Sequence, residues 1–276
     1  MDKLNFITAG MPLRTEPKNY KKAFDVLDEM SLDGIELEFV HGVRISEDSQ
    51  EIVKRVSKEK NMVVTAHGSY YINLNSKEEE KVEASVVRIL DTAAMVSKLG
   101  GYSMTYHAAF YMGNDKETVF QKVKTQTDRI IEIVERDDLK VWIRPETTGK
   151  VVQWGDLDEI IRLSKEYKQV LPCVDFSHLH ARTGGGQNTY DDFCRSLESI
   201  GTGIGQYALD NFHGHLAGID YSPKGEKKHL NLEESDMNYK DLLKALKEFN
   251  VKGAIVCESP NIEEDCKLIK EYYISL

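Results

Sequence analysis

Cysteine is scarce, with four in 276 residues, and no two stand in a CxxC pair. This excludes a thiolate zinc framework and a disulfide scaffold. Cys173 and Cys257 fall inside apolar runs, so reduced, buried thiols are expected there. No run reaches about 18 apolar residues, so no membrane-spanning helix is expected. The opening MDKLNFITAG enters a strand-like run directly, without the basic stretch and apolar core of a signal peptide. A cytoplasmic protein without a membrane partner is therefore expected. No Pro-rich or Gly/Ser-rich linker and no low-complexity tract interrupts the chain, so residues 1–276 are expected to form one domain. ITAGMPLRTEP follows the first apolar run without a GxGxxG. That argues against an open, doubly wound dinucleotide-binding sheet. Positive charge is also short: the formal net charge is −10. A broad basic face holding nucleic acid is thus disfavoured. Dications in a carboxylate-rich cleft would nonetheless reverse the local field.

What the chain does contain is a repeated alternation. Short β-branched or aromatic runs at 4–9, 34–39, 62–67, 102–107, 139–146, 170–176, 215–220 and 253–258 read as strands buried on both faces. Segments of helical period separate them. In 79–99, Val82, Val86, Ile89, Leu90, Ala93 and Val96 line one face, Gly100 supplies a C-cap, and Asn75-Ser76 signals the start. Strands alternating with helices eight times predict a single (β/α)₈ TIM barrel, α/β in class. Residues 179–212 read as an extended connection with two helical pieces, and 221–238 as a polar loop. Long loops at the C-terminal ends of barrel strands are where such folds build their sites.

Six of the runs carry a metal-binding side chain at or beside an end. His67 and His107 close two of them, and Glu146 closes a third. Asp175 and His178 come at the end of the fourth, His215 opens the next, and Glu258 closes the last. Imidazole nitrogen and carboxylate oxygen suit a hard or borderline dication. Six strand ends sharing one chemistry predict a polynuclear metal site on the C-terminal rim.

The surrounding motifs are recognisable. AHGSYYINL at 66–74 resembles the AHxSYxINL signature of endonuclease IV, the TIM-barrel class of apurinic/apyrimidinic (AP) endonuclease, in its archaeal-type branch. The resemblance runs in order through YHAAF at 106–110, PETTGK at 145–150, CVDFSHLHARTGG at 173–185, the stretch from His213 to Leu232, and CESP at 257–260. It implies that His67 and His107 hold a first zinc and that Glu146 bridges it to a second. Asp175, His215 and Glu258 complete the second, and His178 and His229 serve a third. The family places an aspartate two residues before that last histidine. Here the place is taken by Lys227, which cannot ligate while protonated. Glu226 substitutes if the loop shifts by one residue.

The implied activity is hydrolysis of the phosphodiester 5′ to an abasic site by a metal-activated hydroxide, with Glu146 as the catalytic carboxylate. Zn²⁺ is the implied cofactor, and Mn²⁺ or another dication also suits such ligands. The implied partner is damaged double-stranded DNA, bound by a monomer. Tyr70 matches a tyrosine that enters the duplex beside the missing base. Arg182 and Lys227, with Lys150, Lys224 and Lys228, are placed to meet phosphates.

A divalent-metal-dependent sugar isomerase or epimerase of the xylose-isomerase-like barrel class is the alternative. It uses a related rim and needs no DNA-binding surface. His41 reads as solvent-facing, and Trp142 and Trp154 as packing. Gly184–Gly186 reads as a mobile loop. His180 and His213 lie two residues from a proposed ligand and are expected to point away from the site.

Overall fold

The computed structural model describes residues 1–276. Eight parallel strands form one sheet: β1 (Leu4–Ala9), β2 (Gly34–Glu38), β3 (Val63–His67), β4 (Ser103–Tyr106), β5 (Trp142–Pro145), β6 (Val174–Asp175), β7 (Phe212–Leu216) and β8 (Gly253–Cys257). The strand order is β5-β4-β3-β2-β1-β8-β7-β6. Parallel bridges Ile143↔Val170 and Glu146↔Cys173 join the two ends, so the sheet closes on itself. The predicted TIM barrel is the observed fold.

Ten helices connect the strands: α1 (Tyr20–Glu29), α2 (Glu47–Glu59), α3 (Glu79–Leu99), α4 (Lys116–Arg136), α5 (Leu157–Ser164), α6 (Phe176–Arg182), α7 (Tyr190–Gly203), α8 (Gln206–Asp210), α9 (Tyr239–Glu248) and α10 (Glu263–Ser275). Side-chain caps start most of the longer ones. Asp156 and Glu159 form a reciprocal capping box on α5, and Thr189 and Asp192 one on α7. Gly100 ends α3 in the left-handed conformation, at φ 73°, as its sequence predicts. The start of α3 differs from expectation. Asn75 does not cap it; its amide donates to the carbonyls of Phe110 and Tyr111, at 2.7 and 3.1 Å. A tertiary partner outcompetes the local one. No helix is long and apolar enough to cross a membrane.

Alternation along each strand divides the barrel into an outer and an inner face. Outward residues such as Phe6, Ile35, Leu37, Val64, Met104, Ile143 and Ile255 join the large core beneath the helices. The apolar part of the interior is small: Ile7, Ala254 and Val256 form a separate cluster. The rest of the interior is polar.

The eight-strand scheme needs two corrections. The run expected at 215–220 is cut in two. The barrel strand lies earlier, at 212–216, and residues 218–222 pair antiparallel with 225–230 in a separate hairpin. The polar loop expected at 221–238 therefore holds a strand. Its charge, GEKKHL, hides the extended pattern, because a hairpin on the barrel rim has no face to bury fully. Residues 170–176 form a strand only at 174–175, since α6 begins at Phe176.

Candidate metal centre

Every sequence-predicted ligand is on the C-terminal rim. His67 is the last residue of β3, while His107, Glu146 and Glu258 each follow a strand by one. Asp175 ends β6 and caps α6, accepting from the His178 backbone N–H at 2.7 Å. His178 is thereby fixed one turn into α6. His215 lies within β7, and His229 on the second strand of the hairpin.

Glu146 is the hub. His67 Nε2 stands 3.1 Å from Oε2 and His107 Nε2 3.2 Å from Oε1. His178 Nδ1 and His215 Nδ1 also approach Oε1, at 3.2 and 3.4 Å. Five overlapping groups have ligand atoms within 4.8 Å of one another: His67–His107–Glu146, Glu146–Asp175–His215, Glu36–His215–Glu258, Asp175–His178–His229 and Cys173–His213–His215. Glu146 thus presents Oε2 to His67 and Oε1 to His107, His178 and His215, so the two histidines expected on one metal meet different oxygens.

Three histidines are held ready by their other ring nitrogen. Nδ1 of His67 contacts the Gly68 carbonyl at 2.8 Å, that of His178 the Thr147 carbonyl at 3.0 Å, and that of His229 the Glu258 carbonyl at 3.3 Å. A donated Nδ1–H leaves the Nε2 lone pair free for a cation. Several buried acceptors and ring nitrogens have no hydrogen-bond partner: His107 Nε2, Glu146 Oε1, Asp175 Oδ2 and His215 Nδ1. Orphaned buried polar atoms are costly, and here they converge. The donor set fits divalent cations with mixed imidazole and carboxylate preference.

The electrostatics agree. Burial alone would depress the imidazole of His67, but the hydrogen bond and charge of Glu146 override it and raise the group to about 10. His178, beside Asp175 and Glu146, is likewise raised to about 10. Burial acts to raise Glu146, yet the imidazoles of His107 and His215 hold it well below the carboxylate range. Glu258 is lowered to about 2 against burial by His215.

The third group answers the Lys227 question. Residue 227 is the extra residue of a β-bulge: Asp220 pairs with Lys228 and Tyr221 with Glu226. Glu226 and His229 are three apart and on a regular strand would face opposite ways. The bulge restores parity. Glu226 Oε2 lies 3.6 Å from His178 Nε2, and the His178 and His229 rings are 5.8 Å apart. Lys227 points outward, exposed, with Nζ 3.4 Å from Asp220. Gly149 permits this docking, because a Cβ there would sit 2.7 Å from both Cβ and Oε2 of Glu226. The Glu226 N–H donates to the Gly149 carbonyl at 3.0 Å.

The residues predicted to meet DNA divide. Tyr70 stands at the mouth, 63% exposed, its ring 6.0 Å from that of His67. His41 is exposed beside it, 6.2 Å from the Tyr70 ring. Arg182 instead straps a loop: its Nη1 donates to the carbonyls of Lys150 and Gln153 at 2.6 and 3.0 Å and to Thr148 Oγ1 at 3.0 Å. Lys224, Lys227 and Lys228 are exposed and Lys150 half-buried. Trp154 is fully buried, as expected of packing.

One expectation is overturned. His213 does not point away from the site. Residues two apart on a strand share a face, and His213 lies directly beneath His215 inside the barrel, fully buried. Sequence reasoning also passed over Glu36, fully buried in β2. The signal was there: GIELEF places two acidic residues at period two inside an apolar run. Glu38, the second, faces the mouth. The enclosing wall of the bowl, then repulsion from Glu36 and Glu258, raise its carboxyl to about 8 even though water reaches it.

A closed (β/α)₈ barrel whose rim gathers buried imidazoles and carboxylates is the architecture of metal-dependent barrel enzymes. The chain belongs to the xylose isomerase-like TIM barrel family, which matches residues 24–272. Among relatives, an uncharacterized protein of Methanocaldococcus jannaschii is 42% identical over 273 residues, 99% of this chain and 98% of its own length. Apurinic-apyrimidinic endonuclease 1 of Plasmodium falciparum is 23% identical over 228 residues, 80% of this chain but 37% of its own. Two solved structures share the fold. A D-tagatose 3-epimerase-like protein aligns with TM-score 0.76 at 19% identity, over 98% of this chain and 97% of its own. Endonuclease IV from Thermus thermophilus aligns with TM-score 0.72 at 15% identity, over 99% and 100%.

Proposed function

We propose that the protein is a metal-dependent AP endonuclease that cleaves the DNA backbone 5′ to an abasic site, in the repair of damaged DNA. The observation that carries this reading is the pair His67 and His107 on the two oxygens of Glu146. Glu146, Asp175, His215 and Glu258 alone would suffice for a single cation. Two further imidazoles across the bridging carboxylate make room for a second ion, and a third set waits at His178, His229 and Glu226. Paired dications held by these residues, zinc or manganese, would supply an activated nucleophile and neutralise the charge that builds on a phosphodiester during in-line displacement. The chain's own residues do the positioning. Glu146 sets the separation of the two ligand sets, and the carbonyls of Gly68, Thr147 and Glu258 fix the imidazole tautomers. Tyr70, exposed at the mouth, offers a flat apolar ring to the gap left by a missing base.

The rival reading is a sugar isomerase or epimerase. The −10 net charge and the raised carboxyl of Glu38 at the mouth, suited to proton transfer, favour it. The test is incision of duplex DNA bearing a tetrahydrofuran abasic analogue, with zinc, manganese or cobalt supplied. Wild-type protein is expected to nick 5′ to the analogue, and Glu146→Gln to lose most of that activity. Absence of incision with every metal, together with turnover in a sugar panel, would replace this reading with the rival.

A further inference from the structure

The barrel interior beneath the metal centre holds a carboxylate that no step above uses. Glu36 sits on β2, fully buried. A carboxylate enclosed by protein persists only where partners compensate its charge. The one guanidinium in that interior is not its partner, because Arg144 donates to the carbonyls of Pro172 and Asn211. Instead Glu36 reaches across the barrel to β7. Its Oε1 lies 3.1 Å from His215 Nε2 and its Oε2 3.1 Å from His213 Nε2. Two neighbours brace this arrangement. Thr65 Oγ1 donates to Oε2 at 2.6 Å, and Ser103 Oγ meets Nδ1 of His213 at 2.8 Å.

His215 is thus held from both sides. Its Nδ1 faces Glu146 and Glu258, at 3.4 and 3.3 Å, while its Nε2 faces Glu36. The other centre histidines whose second nitrogen is anchored contact backbone carbonyls. His215 instead meets a carboxylate at Nε2, with the buried Cys173 thiol close to the ring. The ring N–H is not in line with Oε1, and Oε1 and Nε2 both count among the buried atoms lacking an aligned partner.

We propose that Glu36 is a positioning residue for the metal centre: it holds His215 with Nε2 protonated and Nδ1 free to ligate, and its charge strengthens that nitrogen as a donor. This rests on the metal-centre reading given above. It makes Glu36 the buried partner of a carboxylate–histidine–metal triad, in which the outer carboxylate sets both tautomer and basicity.

The test uses metal-stripped full-length protein, with zinc affinity measured by competition against a chelator. Ring-¹⁵N spectra of the zinc-loaded protein then identify the His215 tautomer. Glu36→Gln is expected to weaken zinc binding by about 10–100-fold, to keep the same number of ions at saturation, and to shift the His215 Nε2–H resonance. Thr65→Val, which removes only a hydrogen bond to Glu36, is expected to produce a smaller change of the same sign, and serves should Glu36→Gln fold poorly. Unchanged affinity with an unchanged His215 spectrum in a folded variant overturns the inference. So does loss of one whole ion at saturation, which would make Glu36 a direct ligand. If wild-type protein itself binds no dication, the metal-centre reading fails first, and that result is distinct from either.

Discussion

His67 and His178 are enclosed by carboxylates, and their titration makes a prediction about the metal-stripped protein. Both imidazoles are raised in the fold, from an ordinary 6.5 to about 10. A raised folded-state value means that protonation favours the fold. The stabilisation is complete below about pH 6.5 and is lost as pH climbs through about 10. Thermal melts in chelator are expected to show a falling Tm across that window. With metal bound the same imidazoles are already deprotonated, so the slope should flatten. A Tm of stripped protein that stays level or rises from pH 6.5 to 10 would contradict the ion-pair assignment. The position of Lys227 is also decided at this scale. It stands where the family pattern has an acid, yet its side chain turns to solvent and Asp220.

That turn is a property of the hairpin. The bulge at 227 turns Glu226 rather than Lys227 toward His178, and Gly149 leaves the space for it. Two expectations follow for variants, both read by metal titration. Glu226→Gln should weaken the third cation, whereas Lys227→Asp should not add one, because residue 227 faces outward. Gly149→Ala forces a Cβ against Glu226 and should cost about 1–3 kcal/mol of stability while displacing the hairpin strand from His178. The first two ions, held by His67, His107, Glu146, Asp175, His215 and Glu258, should stay. If Lys227→Asp raises the metal count, the bulge is misplaced. The short β6 has a comparable logic: Asp175 ends the strand and caps α6 at once, which is how one CVDFSH stretch brings Asp175 and His178 together with His229.

At the scale of the whole molecule, the candidate ligands come from six of the eight strand ends together with α6 and the hairpin. Cations gathered there would join the two ends of the sheet, where β5 meets the 170–175 segment through only two isolated bridges. Metal binding should therefore stabilise the entire barrel. A dication at 100 times its dissociation constant contributes about 2.7 kcal/mol, enough to shift Tm by several degrees in a chain of this size. Calorimetry with and without chelator checks this. No change in Tm on chelation of a demonstrably loaded protein would detach the centre from the fold's stability.

Much of this is legible in the chain alone. Eight apolar runs separated by helical periodicity determine the barrel, since buried parallel strands and one-sided helices leave few other solutions. The residue type at each run's end determines the ligands, because strand ends converge once the sheet closes. What the chain's order could not decide was parity and pairing. Whether Glu226 or Lys227 faces the centre depends on one bulged residue, set by hairpin pairing rather than by composition. Whether His213 and Glu36 meet depends on β7 facing β2 across the barrel, residues 177 apart in sequence with no local signal linking them. Asn75 and Arg182 likewise took partners from distant loops. Local chemistry is written along the chain, but which buried polar groups neutralise one another is decided only when the sheet closes, because only then is water excluded and each must find its partner.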